Sequence, residues 1–109
     1  MVRVVVGLYP SGCLKSLTAE GHAGPASPGS DPVCAAVSVL IRTALNVLER
    51  EPEIDFHGDL PGEGQASITV ASYREEAGQR LLGVTRFLLT GLSDLADEYP
   101  QRVSMRVET

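Results

Sequence analysis

The sequence is short of most features that would announce a function. Only two cysteines, Cys13 and Cys34, occur in 109 residues. That is too few to staple a fold of this size, and no C-x-x-C spacing brings metal donors together. With only two histidines besides, a structural zinc site would have to gather its ligands from distant segments, so no metal or cofactor is expected. Basic charge is also scarce: nine Lys and Arg stand against fourteen Asp and Glu, leaving a net charge of −5. These basic residues are scattered from Arg3 to Arg106, which makes a nucleic-acid backbone a poor first partner. No apolar run approaches the roughly 20 residues that cross a bilayer. The opening MVRVVVGLYP carries neither the apolar stretch nor the cleavage site of a signal peptide. A cytoplasmic setting with reduced thiols is the expectation.

What is present is amphipathic. A composition of 43% hydrophobic and 21% charged residues fits one domain over residues 1–109, with no repeat, linker or low-complexity tract. Val2 to Tyr9 is rich in β-branched residues, Pro10-Ser11-Gly12 is a turn cluster, and Cys13 to Glu20 resumes an extended pattern, so a hairpin is expected. Period two puts Lys15, Leu17 and Ala19 on one face of its second arm and Leu14, Ser16, Thr18 and Glu20 on the other. The following GHAGPASPGSDP has three glycines and three prolines and reads as a loop.

Asp31-Pro32 is a helix start, because aspartate accepts hydrogen bonds from the unpaired amides and proline suits the first turn. Val33, Val37, Leu40, Ile41, Ala44, Leu45 and Leu48 then recur at helical spacing, predicting a helix to about Arg50. Ile54–Leu60 and Gln65–Ser72 form a second strand pair around a Pro61-Gly62-Glu63-Gly64 reversal. Leu81, Leu88, Leu92, Leu95 and Tyr99 mark a second helix from about Arg74 to Glu98, stopped by Pro100. Val103, Met105 and Val107 alternate with polar residues as a last half-buried strand. The order ββαββαβ implies an α+β two-layer sandwich, two amphipathic helices packed on a mixed β-sheet.

Chemistry concentrates near the first helix. Cys34 falls on its third position, where unpaired amides and the positive end of the helix dipole favour a thiolate, the nucleophilic form. The alternative is a small buried hydrophobe within CAAV. His22 stands twelve positions upstream, at the junction of strand and loop, where its imidazole can fold back onto the sulfur or simply be solvated. Asp31 either caps the helix or orients His22. Ser38 projects one turn beyond Cys34 on the same face. Amides of the first turn, that of Cys34 included, are candidate donors to an oxyanion. Cys13 has no helix end or base beside it and reads as structural, while His57 has no thiol near it. Gly62-x-Gly64 is too short for a phosphate cradle.

Gly21-His22-Ala23, the Gly29-x-Asp31 step and Val33-Cys34-Ala35-Ala36-Val37-Ser38 together resemble the signature of the ribosomal-processing cysteine protease (Prp) family. The order of elements is similar to that family over nearly the whole chain. The resemblance implies a small homodimeric α+β endopeptidase whose catalytic dyad falls on His22 and Cys34, with Asp31 and Ser38 supporting it. It further implies a mobile substrate loop that includes Gly21, Ala23 and Gly29. The implied substrate is the N-terminal extension of large-subunit ribosomal protein twenty-seven. This chain departs from the pattern at Pro32, where an aliphatic residue is usual, and in its loop prolines Pro25 and Pro28. The competing readings are a noncatalytic ribosome-assembly or peptide-binding module using the same cleft, and a redox-sensing thiol.

Overall fold

The computed structural model describes residues 1–21, 31–62 and 65–109. Its elements are β1 (Val2–Leu8), β2 (Leu14–Glu20), α1 (Pro32–Leu48), β3 (Ile54–Gly62), β4 (Gln65–Tyr73), a 3-10 turn (Glu75–Ala77), α2 (Gly78–Glu98) and β5 (Val103–Glu108). This is the expected ββαββαβ order. The five strands form one sheet ordered β3-β4-β2-β1-β5. It is mixed: β1 and β5 run parallel, and the other neighbours are antiparallel.

Both helices lie on one face, and the core is what they trap against the sheet. From the strands come Val2, Val4, Val6, Leu14, Leu17, Ile68 and Val70; from α1, Val33, Val37, Ile41 and Leu48; from α2, Leu81, Leu88 and Leu92, all buried. Each such side chain contributes about 1.5–3 kcal/mol relative to exposure, and helices of this length owe most of their stability to that contact.

Several local expectations change, each for a tertiary reason. The faces of β2 do not alternate throughout. The β1–β2 register shifts between Gly7 and Leu8, so that Leu8 faces Leu14 and Lys15 is skipped. This bulge turns Leu14 into the core beside Leu17 and Ala19 and leaves Lys15 exposed. There the Lys15 ammonium lies 5.7 Å from the centre of the Tyr9 ring. Thr85, buried on α2, locks the bulge by accepting from the Leu14 amide at 2.9 Å and donating to the Leu81 carbonyl at 2.7 Å.

Helix α1 stops at Leu48 rather than Arg50, its last turn closing through Arg50 N to Val47 O and Glu51 N to Leu48 O. Helix α2 begins at Gly78, after the 3-10 turn, and Tyr99 caps it as an exposed residue rather than extending the buried stripe. Strand β3 runs through Pro61 to Gly62, which pairs with Gln65; Glu63 and Gly64 lie outside the described residues. Strand β5 is an edge, so only its first residue is fully buried and Val107 is exposed. His57 is exposed on β3, opposite Thr69.

Candidate active site

Topology sets where α1 begins. Strands β2 and β3 both pair antiparallel with β4 and so run parallel to each other. Helix α1 carries the chain back between them, which puts its N-terminus at the Glu20 end of β2 and brings Gly21 and Cys34 to one end of the sheet.

At that N-terminus Asp31 is extended (φ −95°, ψ 112°) and nearly buried. Its Oδ1 accepts from the Val33 amide at 2.9 Å and the Cys34 amide at 3.4 Å, while its carbonyl accepts from the Ala35 amide at 3.0 Å. Of the two roles open to Asp31, capping is therefore filled. Pro32 occupies the first helical position, where its missing N–H costs nothing.

The first-turn amides named above as candidate oxyanion donors are engaged by this cap to different degrees. Pro32 has no N–H; the Val33 and Cys34 amides bond to the Asp31 side chain, and the Ala35 amide makes the first intrahelical bond to the Asp31 carbonyl. The Cys34 amide, held at 3.4 Å, makes the longest and weakest of these bonds.

Cys34 is 1% exposed, within the core between Val33 and Val37, and forms no disulfide. Ser38 follows one turn later, also buried. Gly21 follows β2 at φ +107°, a conformation L side chains rarely adopt, and a Cβ there would collide with the Met1 carbonyl oxygen. Glycine is required at that position on both counts. Sequence reasoning missed this packing of Met1 against Gly21, for which a contact between residues so far apart leaves no local signal. His22, Ala23 and Gly29 lie outside the described residues.

Cys13 is as buried as Cys34 but belongs to the opposite end of β2, where its Sγ donates to the Gly78 carbonyl at 3.5 Å. Among the described residues no group of three His, Cys, Asp or Glu is arranged to hold a metal ion. No helix of the described residues is long and apolar enough to cross a membrane.

The family model described as cysteine protease Prp matches residues 1–104. The structure is similar to that of an essential ribosomal processing protease Prp from S. aureus in complex with a covalently linked product peptide. The TM-score is 0.81 at 18% identity, covering 99% of this chain and 100% of that one. The S. aureus protease in complex with a substrate peptide gives a TM-score of 0.74 at 20% identity, with 99% and 100% covered. SMU.848 from Streptococcus mutans gives 0.78 at 28% identity, with 100% and 95% covered. At 18% and 20% identity the likeness to the S. aureus structures shows a shared fold. No curated protein matches the chain.

Proposed function

We propose that Cys34 is the nucleophile and His22 the general base of this chain, which belongs to the cysteine protease Prp family and is a cysteine protease. The observation that carries this reading is the first turn of α1. Asp31 caps it and Cys34 stands on its third position, in the part of the sequence that carries the family's signature.

The chemistry follows from those groups. His22 takes the thiol proton as Sγ attacks the scissile carbonyl carbon and forms the S–C bond. The same imidazole delivers that proton to the nitrogen as the C–N bond breaks and the amine leaves. Water, deprotonated by His22, then attacks the thioester and releases the acid, and the sulfur recovers its proton. The Cys34 amide, the donor most loosely held by Asp31, is the one we assign to the developing oxyanion. Asp31 fixes the helix start, and Ser38 supports Cys34 from one turn below. Gly21, Ala23 and Gly29 belong to the substrate loop. No metal or cofactor enters any step.

We assign as substrate the N-terminal extension of large-subunit ribosomal protein twenty-seven. Support comes from the resemblance in the signature and from the substrate and product peptides held by the similarly folded S. aureus protease. In this reading residues 1–109 act as one domain, in the cytoplasm, as a homodimer.

The test is a peptide spanning the extension and the first residues of the mature protein. Wild type cleaves it at one bond, and Cys34→Ala and His22→Ala each lose at least about 10³-fold in kcat/KM. Undiminished cleavage by either variant removes that residue from the mechanism.

A further inference from the structure

The two groups of the proposed dyad belong to different parts of the chain. His22 comes shortly after the end of β2, and Cys34 rides on α1, so the reach of imidazole to sulfur depends on how α1 is seated against the rest of the fold. Two glycines define that seat. Gly58, on β3, faces Leu45 of α1: a Cβ added there would overlap Leu45 Cδ2 and stand 3.1 Å from Cδ1 and 3.2 Å from Cγ. Gly91, on α2, faces Leu40 of α1, and a Cβ there would stand 2.9 Å from both Leu40 Cδ atoms. Packed carbon atoms do not approach so closely.

Neither contact is relieved by a small turn of the leucine. Both methyls of Leu40 are equally near Gly91, so rotating one away brings the other in, and the whole branched end of Leu45 crowds Gly58. The helix backbone limits the remaining freedom at χ1. What yields to an added methyl is therefore the helix that carries the leucine. Leu40 and Leu45 are both packed against the core and stand about 140° apart around the axis of α1, so one wedges the helix against α2 and the other against the sheet. Gly83, earlier on α2, is the contrast: it is exposed, and a Cβ there would meet nothing within 4 Å. Glycine weakens the interior of a helix at either position, but only Gly91 has a neighbour that requires it.

We propose that Gly58 and Gly91 are positioning residues for the protease reaction: they let Leu45 and Leu40 sink against β3 and α2, and so hold α1 where the Cys34 sulfur comes within reach of His22. This rests on the proposed dyad and says what sets its geometry. Each glycine acts through the helix that carries Cys34. A displacement of about 1 Å at the reacting atoms can cost on the order of 10²-fold in rate, so a single methyl wedged under α1 is large enough to be read in kcat.

A double-mutant cycle on cleavage of the extension peptide tests it, with far-UV circular dichroism on each variant to confirm folding. Gly91→Ala should lower kcat at least about tenfold and leave KM within about twofold of wild type. In a Leu40→Ala background, where the added methyl has room, the same change should cost less than about twofold in kcat. Gly58→Ala should behave alike with and without Leu45→Ala, and Gly83→Ala should leave kcat unchanged. Alkylation separates displacement from loosening. The displaced helix should slow labelling of Cys34 several-fold and leave Cys13 as in wild type, whereas a merely destabilised fold exposes both buried thiols and labels both faster. Wild-type kcat in folded Gly91→Ala and Gly58→Ala, losses undiminished in the leucine-to-alanine backgrounds, or faster labelling of both thiols would each overturn the proposal. If Gly58→Ala does not fold, the Gly91 cycle decides. His22→Ala, run alongside, distinguishes the two readings: if it cleaves and labels as wild type, the dyad falls and the seating with it, and if it loses both while the glycine variants lose neither, the seating alone falls.

Discussion

The two cysteines make a controlled comparison, because both are buried and reduced, yet their surroundings share almost nothing. Cys13 belongs to the end of the sheet where the hairpin is latched. Its sulfur donates to the Gly78 carbonyl, and Tyr9 donates to the Val70 carbonyl at 2.6 Å. Ser11 bonds the Tyr73 hydroxyl at 2.8 Å, and the two tyrosine rings meet edge to face at 5.6 Å. Cys34 sits at the other end, in a helix turn whose amides converge on one carboxylate. Burial therefore does not distinguish a structural thiol from a candidate nucleophile. Their places in the fold do: Cys13 belongs to the latched end of the hairpin, and Cys34 to the capped first turn of α1, within the family's signature.

The largest effect that would break this comparison is chemical. Cys13→Ala should cleave the extension peptide at the wild-type rate, and limited alkylation at neutral pH should label Cys34 well before Cys13, read by mass spectrometry of tryptic fragments. Equal labelling, or loss of cleavage in Cys13→Ala, would erase the distinction. Next comes the latch itself. Thr85→Val keeps the shape but strands the Leu14 amide in the core, and should cost about 1–3 kcal/mol in urea denaturation. The folded fraction should cleave normally, because this lies at the Cys13 end. The smallest effect belongs to the cap. Asp31→Ala should cost about 1 kcal/mol and also slow cleavage, whereas Asp31→Asn keeps an acceptor and should recover most of the stability. Normal cleavage by Asp31→Ala would separate the cap from the site.

Much of this was legible beforehand because its causes are local. The spacing of Val33, Val37, Ile41 and Leu48 specifies a helix face, Asp31-Pro32 specifies its start, and both stand in the structure within two residues at the far end. The period-two reading of β2 failed at Lys15 because a bulge depends on the partner strand, and Leu14 is turned inward by pairing with Leu8 and by Thr85 on a distant helix. Thr85 itself is invisible in a pattern of leucines. The site was legible in the same uneven way. The position of Cys34 on the first turn could be read from the chain, but not that Asp31 would take up the Val33, Cys34 and Ala35 amides together.

By itself, then, the order of residues determined the elements, the apolar stripes of both helices, the capped turn beneath Cys34 and the signature that marks the family, because each depends on neighbours within a few positions. Tertiary structure alone decided the sheet order β3-β4-β2-β1-β5, the inward turn of Leu14, and the need for glycine at position 21 against Met1. Those features arise where segments far apart in the chain compete for the same space and the same hydrogen bonds, and only the folded packing resolves that competition.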